Sequence, residues 1–363
     1  MAKFEGVKWA PGQMRYFLNE KTFEMFEAEA KTYAATRSTY YASFLCFEGI
    51  RYFCRKNEQG HLELVFLNWD QNLERFRKSM AFNLSRTQQN IVPTREELED
   101  IFIKKYFSHP VMRPFLEEMA ERGVQGYLRP FTLDEEHSMG VTFPNFPSIR
   151  AVTCMYNEYL GEPFVGVIIP HLVRALGANG TGCLKLGINY LMSIKAIDEA
   201  KALIPEAAAV LFLDDKPYLP IEQREITEWD SSCCLFALSD NTVIKIPESN
   251  LILPSVTIKG MVAILKKMNI KVEERPFTYG ELLARVKNNE LVAAASVGTA
   301  GILNRCEKLV LVDDHFKVIG EHRPIKNHPL YQKLREIREY YWDVYRGKAQ
   351  ALPELQVFRY EII

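Results

Sequence analysis

Two rhythms of apolar and polar residues succeed one another along the chain: a period near two that suits half-buried strands and a period near 3.6 that suits amphipathic helices. The first third reads as a helix over about 20 to 36, strands over about 39 to 54 and 62 to 67, and a helix opening near Asp70. Pro93 with the box Thr94-x-x-Glu97 announces a further helix, and another ends near Gly123. A hydroxyl followed three residues later by a carboxylate satisfies free N–H groups at a helix start, and glycine tolerates the left-handed turn that stops one. An apolar strand follows around 125 to 133, and the two prolines of FPNFPSIR punctuate the chain before a β-rich run from about 149.

YNEYLGEPF reads as a connector between two lobes. Beyond it, INYLMSIKAIDEAKALI has helical spacing, AAAVLFLD reads as a buried strand, and a hairpin falls around Ser239-Asp240-Asn241. Pro254 precedes the helical SVTIKGMVAILKKM, whose amino end is a natural anion site. Thr278-x-x-Glu281 caps another helix, and HPLYQKLREIREYYWDVYRGKAQ is a long amphipathic one. Strands and helices mix without a fixed-period repeat, which points to an α/β or α+β chain. At 363 residues the chain exceeds what one core usually supports, so two domains are expected.

Composition narrows the function classes. Hydrophobic residues make up 47% and charged residues 25%, ordinary usage for a folded globular protein. Lys and Arg number 45 against 46 Asp and Glu, a net charge of -1 that supplies no long-range attraction for nucleic acid or an anionic membrane. No run is long and apolar enough to span a bilayer, and MAKFEGVKWA does not read as an export signal, so a cytoplasmic protein is expected. Seven cysteines without CxxC spacing read as buried free thiols, the vicinal Cys233-Cys234 included. The seven histidines form no ligand-like cluster, and nothing argues for a metal site.

The chemistry-bearing stretch is GTGCLKLGINY, residues 180 to 190, where a small-residue turn presents Lys185 just ahead of a helix beginning near Asn189-Tyr190. Most lysines are solvated point charges. An apolar, glycine-rich setting favours the neutral amine, which is a nucleophile, and small residues let a bulky ring approach the backbone.

Lys185-Leu-Gly-Ile-Asn189-Tyr190 resembles the K-x-x-x-N-Y pattern around the Schiff-base lysine of fold-type IV (class IV) pyridoxal-phosphate enzymes, and further motifs arrive in family order from about residue 41 to 305. Phe47-Glu48-Gly49-Ile50-Arg51 looks like the FEGxR element of the branched-chain amino acid aminotransferases. Asn72-Leu73-Glu74-Arg75-Phe76-x-x-Ser79 looks like their H-x-x-R-L-x-x-S helix. Tyr127-Leu128-Arg129-Pro130 and Met139-Gly140-Val141 resemble Y-x-R-P and MGV, Leu253-Pro254-Ser255-Val256-Thr257 resembles L-P-G-I-T, and Gly298-Thr299-Ala300 matches the G-T-A loop.

The resemblance implies a role for each matched residue. Lys185 is the catalytic lysine. Arg75 grips the cofactor phosphate with a planar fork, helped by the Val256 and Thr257 amides after Leu253, while Tyr190 meets the cofactor O3′. A carboxylate beside the pyridine nitrogen keeps that nitrogen protonated. Two residues compete for this place: Glu228 fits the following Leu235-Phe236 strand, and Glu222 fits the family spacing from Asp214. Glu228 is favoured. Phe47, Gly49, Arg51, Tyr127, Arg129, Met139, Val141, Tyr156, Tyr159, Thr299 and Ala300 line the substrate pocket, with Tyr127 and the Thr299-Ala300 loop on the α-carboxylate and Arg129 receiving the distal carboxylate of glutamate.

The implied fold is a two-domain mixed α/β chain: a small amino-terminal α/β domain over 1–152, an interdomain loop over 153–165, and a larger carboxyl-terminal cofactor-binding domain over 166–363 with a β-barrel-like core flanked by helices. The implied activity is transamination of branched-chain L-amino acids with 2-oxoglutarate by a homodimer using pyridoxal 5'-phosphate. D-amino acid aminotransferase and aminodeoxychorismate lyase share the cofactor machinery, and a non-catalytic relative is the third reading. The chain departs from the pattern at Ser231-Ser232-Cys233-Cys234, at Ser255 in place of the turn glycine, at Ile258-Lys259, and at Ala42, where a pocket tyrosine is expected beside Tyr40 and Tyr41.

Overall fold

The computed structural model describes residues 3–27, 42, 44–137, 140–160, 163–175 and 180–362. Contacts divide the chain into two units. One, the amino-terminal unit, comprises Phe4–Glu158 together with Leu184–Ile188 and Gln356–Ile363; the other, the carboxyl-terminal unit, comprises Met1–Lys3, Tyr159–Cys183 and Asn189–Leu355. Three short segments thus depart from a division by chain order, and one of them carries Lys185.

The amino-terminal unit opens with strands β1 (Gly12–Phe17) and β2 (Thr22–Glu27), followed by β3 (Ile50–Lys56) and β4 (Leu62–Leu67). Helix α1 (Trp69–Phe82), α2 (Arg95–Glu99) and α3 (Arg113–Arg122) precede β5 (Gln125–Asp134) and β6 (Pro147–Tyr156). In the carboxyl-terminal unit lie β7 (Phe164–Ile169), α4 (Asn189–Leu203), β8 (Ala207–Leu213), β9 (Ile226–Trp229), β10 (Cys233–Leu238), β11 (Thr242–Lys245) and α5 (Val256–Lys267). It continues with β12 (Lys271–Glu274), α6 (Tyr279–Lys287), β13 (Leu291–Gly298), β14 (Ile302–Val312), β15 (Val318–His322) and α7 (Pro329–Tyr345). The last strand, β16 (Val357–Ile362), belongs to the amino-terminal unit.

The amino-terminal sheet runs β16-β4-β3-β5-β6-β1-β2, with the short strand Lys8–Trp9 also on β6, and every pairing in it is antiparallel. The expected helix over 20 to 36 is overturned across its described part, where β1 and β2 form a hairpin in register Phe17↔Thr22 to Gly12↔Glu27. The sequence TFEMFE alternates with period two, and the charges between its aromatic residues mimic the polar face of a helix. The expected strand over 39 to 54 begins only at Ile50; Cys46 and Phe47 form isolated bridges, and 39–41 and 43 fall outside the described residues.

Aromatic packing builds the core of this unit. Phe66 meets Trp69 at 4.5 Å between centroids, Tyr52 meets Phe107 edge-on at 5.0 Å, and the buried Tyr52 hydroxyl bonds Thr153 Oγ1 at 2.7 Å. Asn68 precedes α1 in the left-handed conformation (φ 51°), which asparagine tolerates. It exchanges two hydrogen bonds with the Gln356 main chain, N–H to carbonyl at 2.8 Å and Oδ1 from N–H at 2.9 Å, and so starts β16 beside β4.

In the carboxyl-terminal unit the strand order is β9-β8-β7-β14-β13-β10-β11-β12, with β15 on β14. The β7–β8, β7–β14 and β11–β12 pairs are parallel and the remainder antiparallel. Strand β14 changes partners along its length, pairing with β13 over Ile302–Arg305 and with β7 and β15 beyond. The central strands β8, β10 and β13 are largely buried and read as continuous apolar runs. The capping boxes act as expected: Thr94 and Thr278 accept the Glu97 and Glu281 amides, and Gly123 ends α3 at φ 61°. Among the described residues no helix is long and apolar enough to cross a membrane. All seven cysteines are free thiols, buried except for the half-buried Cys183.

His322, at the end of β15, is buried, and that burial pushes its imidazole down to about 4 from 6.5. The fold therefore holds it neutral: this contribution to stability is complete above 6.5 and is lost as the pH falls from 6.5 through about 4. Urea denaturation across that range is expected to show a shallower acid loss for His322→Gln than for the wild type. Parallel curves would remove this role.

Candidate active site

Lys185 lies in a five-residue excursion, Leu184–Ile188, that belongs to the amino-terminal unit. Its base is pinned within the carboxyl-terminal unit. There the Asn189 side-chain amide donates to the Thr181 carbonyl at 2.7 Å and the Thr181 hydroxyl donates to Asn189 Oδ1 at 2.8 Å, both side chains being buried. Gly182 is required by a close approach: a Cβ there would stand 2.4 Å from the Asn250 carbonyl oxygen. At this position the small residue accommodates the main chain of Asn250 and Leu251.

The excursion pairs antiparallel with residues 45–47. Phe47 N–H donates to the Lys185 carbonyl at 3.1 Å, Gly187 N–H donates to the Leu45 carbonyl at 3.1 Å, and Cys46 and Leu186 form the bridge. Lys185 is half-buried, and its Nζ lies 5.1 Å from the centre of the Phe47 ring, a cation–π distance. Its own N–H donates to Ser79 Oγ at 3.0 Å.

Ser79 sits on α1 one turn beyond Arg75, whose guanidinium meets the fully buried Glu48 through Nε at 2.7 Å and Nη2 at 2.5 Å. Burial by itself pushes the Glu48 carboxyl up. The Arg75 charge and hydrogen bonds, then the Lys185 charge and the Gly49 amide, outweigh it and hold the group below its ordinary value of 4.5. Sequence reasoning quoted Glu48 only as a letter of its motif.

Five further expected residues join this cluster. Arg129 lies 4.8 Å from the Phe47 ring centre and 5.2 Å from that of Tyr127, and its Nη2 donates to the Tyr127 hydroxyl at 3.1 Å. That hydroxyl fixes the identity of Gly49, where a Cβ would stand 2.0 Å from it. Arg51 pairs with Tyr127 across β3 and β5, and its guanidinium lies 5.7 Å from the ring centre of the buried Tyr156. Val141 lies on the 140–146 loop and is 81% exposed. Met139 lies outside the described residues, as does the side chain of Tyr159, whose backbone forms the short strand Glu158–Leu160.

The carboxyl-terminal unit holds a second group. Glu228 is buried on β9, ion-paired with the buried Arg174 at 2.5 Å, and accepts the Leu253 N–H at 3.0 Å. Arg174 Nη2 also donates to the Gly182 and Leu251 carbonyls, so one guanidinium ties the lysine turn, the acidic residue and the approach to α5 together. No spacing or motif marked Arg174 in the sequence. Glu222, the rival for the acidic place, is exposed on a short turn against Gly280.

Next, α5 begins at Val256. Ser255 occupies its N-cap with φ −85°, a conformation that does not call for glycine, and its hydroxyl accepts the Ile258 N–H at 3.3 Å. The serine that replaces the expected glycine is therefore a working cap. The Val256 and Thr257 amides, on buried residues, stand in the first turn, where no intrahelical acceptor exists. Tyr190 stands half-buried in the first turn of α4, and Thr299 and Ala300 form the turn between β13 and β14.

A model of the family described as amino-transferase class IV matches residues 45–297, more than half of the chain. The chain belongs to the class IV aminotransferases. Within that family it is 27% identical over 201 residues to branched-chain-amino-acid aminotransferase 2 of Bacillus subtilis, covering 54% of this chain and 52% of the relative. The chain spans about half the length of the curated relatives it first matches. Among solved structures, the branched-chain aminotransferase of Thermoproteus uzoniensis with norvaline superposes with a TM-score of 0.67 at 20% identity, covering 95% of this chain and 99% of that one. The branched-chain amino acid aminotransferase of Thermobaculum terrenum in its PLP-form gives a TM-score of 0.64 at 16% identity, covering 93% and 95%. At such identities the likeness shows that this class IV aminotransferase shares their fold, a mixed α/β chain.

Glu48→Gln leaves the Arg75 charge without its buried counterion, and breaking such a pair costs about 3 kcal/mol. Urea denaturation at neutral pH should show a loss of that size. Because the Glu48 carboxyl is held low, the difference from wild type should persist above 4.5 and fade as the pH falls further. Equal stability at neutral pH would contradict the pairing.

Proposed function

We propose that the chain is a pyridoxal 5'-phosphate-dependent transaminase of the branched-chain L-amino acids leucine, isoleucine and valine, passing their amino group to 2-oxoglutarate to form L-glutamate. The observation that carries this reading is the placement of Lys185, held through both of its main-chain polar groups beside the helical turn that bears Arg75. The names of the curated relatives and the ligands of the solved neighbours support it. Family resemblance extends the reading to a cytoplasmic homodimer with small-molecule substrates and no nucleic-acid or membrane partner.

The donors present suit that cofactor. A helix start with two amides lacking intrahelical acceptors suits a phosphate, as does a guanidinium already oriented by a carboxylate. A buried carboxylate held by an arginine suits a protonated ring nitrogen. When bound, the cofactor supplies an aldehyde that takes the substrate amino group and a ring that draws electron density from the substrate Cα.

The chain's own residues do the rest. Arg75 and the Val256 and Thr257 amides after Leu253 bind the phosphate. Glu228, rather than the exposed Glu222, holds the proton at the ring nitrogen, and Tyr190 donates a hydrogen bond to O3′. Lys185 Nζ, once neutral, would take the proton from the substrate Cα and deliver it to the cofactor C4′, general base and then general acid on one amine. Tyr127 and the turn amides of Thr299 and Ala300 receive the α-carboxylate. Arg129 meets the second carboxylate of glutamate, while Phe47, Gly49, Arg51 and Tyr156 shape the space for an apolar side chain, with Met139, Val141 and Tyr159 assigned to the same lining.

Purified protein loaded with pyridoxal phosphate should transaminate L-leucine, L-isoleucine and L-valine with 2-oxoglutarate at least about tenfold faster than D-alanine, and should not release 4-aminobenzoate from aminodeoxychorismate. Preference for D-alanine or lyase activity would move the chain to another branch of the family. Lys185→Ala should lower turnover by at least about a thousandfold with an unchanged circular dichroism spectrum. Retained turnover would refute the role of Lys185.

A further inference from the structure

Ser79 has no exposed surface and stands one helical turn beyond Arg75 on α1. Its hydroxyl donates to the Arg75 carbonyl at 3.1 Å, a bond that helical serines make readily to the fourth residue back. The same oxygen accepts the Lys185 N–H at 3.0 Å, from a residue 106 positions away, and helical habit does not account for that second bond. Strand pairing explains the other restraint on this residue, the Phe47 N–H on the Lys185 carbonyl at 3.1 Å. The Lys185 N–H turns instead to α1, where Glu48 holds the Arg75 guanidinium from the far end of its side chain.

We propose that Ser79 is a positioning residue for the transamination, its hydroxyl fixing the Lys185 main chain to the helical turn of Arg75 so that amine and guanidinium address one phosphorylated ligand in a set geometry. The inference rests on the roles given above to Lys185 and Arg75. The position demands an atom that accepts from an amide while donating to a carbonyl, on a side chain small enough for a site closed to solvent. Serine meets all three conditions. Alanine would remove this acceptor from the Lys185 N–H and let the excursion shift, and a misplacement of about 1 Å near a reacting centre costs on the order of a hundredfold in rate.

The test uses full-length protein loaded with pyridoxal phosphate and compares wild type, Ser79→Ala, Ser79→Cys, Lys185→Ala and Ser108→Ala. Ser108 donates its hydroxyl to the Ile103 carbonyl at 2.9 Å in the same unit and serves as a control for a lost helix-end hydrogen bond. Three readouts are taken: kcat and KM with L-leucine, thermal midpoint, and the fraction of Lys185 that borohydride locks to the cofactor, read by peptide mass spectrometry. Ser79→Ala should lower kcat by at least about tenfold and the locked fraction clearly, with KM changed less than about threefold. Ser79→Cys, near serine in size and a weaker donor and acceptor, should fall between, while Ser108→Ala should move only the midpoint.

Ser79→Ala, or Ser79→Cys should alanine prevent folding, with wild-type kcat and wild-type locking would overturn the proposal. So would losses that track the midpoint as Ser108→Ala does. If Lys185→Ala stays active, the underlying reading fails. If Lys185→Ala is dead and the Ser79 variants are normal, only the positioning role fails.

Discussion

Two main-chain hydrogen bonds between residues 45–47 and 185–187 carry the group of side chains around Lys185 in the amino-terminal unit. The excursion that bears Lys185 is too short to form a structure of its own, and its amides and carbonyls need partners wherever it is buried. The chain after Phe44 supplies those partners as an edge. Because side chains follow the backbone that is paired, this one register sets Lys185 beside Phe47, brings Glu48 to Arg75, and leaves Gly49 facing the Tyr127 hydroxyl. A slip by one residue would turn each of these side chains to the opposite face.

Each unit contains one buried pairing of a carboxylate with a guanidinium near the proposed chemistry, Glu48 with Arg75 and Glu228 with Arg174. Removing two charges from water is expensive, and such pairs are poor instruments of stability alone. Their value lies in geometry. A guanidinium engaged through Nε and Nη2 has its plane fixed by its partner, so Arg75 stands oriented before any ligand arrives. Arg174 does the converse, holding the carboxylate of Glu228 in place while the Leu253 amide occupies the same oxygen. The substitution of the turn glycine by Ser255 fits this picture of pre-formed binding groups: the serine caps the Ile258 amide and leaves the two amides before it directed out of the helix start.

The sequence by itself determined the features set by neighbours in the chain. Helix caps at Thr94 and Thr278, the left-handed stop at Gly123, the buried strand 207–213 and the helix after Pro254 were legible because a cap or a period needs only a few adjacent residues. The order of the motifs from Phe47 to Ala300 was likewise legible, and it identified the family. Local pattern misled at the β1–β2 hairpin, whose interspersed charges imitate an amphipathic helix. The strands 291–298, 302–312, 318–322 and 357–362 went unread for a related reason. The first two are apolar runs covered on both faces, and the last pairs with a strand about 290 positions earlier.

Only the tertiary structure decided which residues hold the reactive groups. Glu48 with Arg75, Arg174 with Glu228, and Ser79 with Lys185 are contacts across 27, 54 and 106 positions, distances that no periodicity encodes. Glu228 and Glu222 differ in burial, the first lying beside a guanidinium and the second exposed, because burial is a property of position in space. Residue type and local spacing specify what a side chain can do. Long-range strand register and the burial it imposes decide which partners orient it, since an ion pair or a shared hydroxyl forms only after distant segments have been packed together.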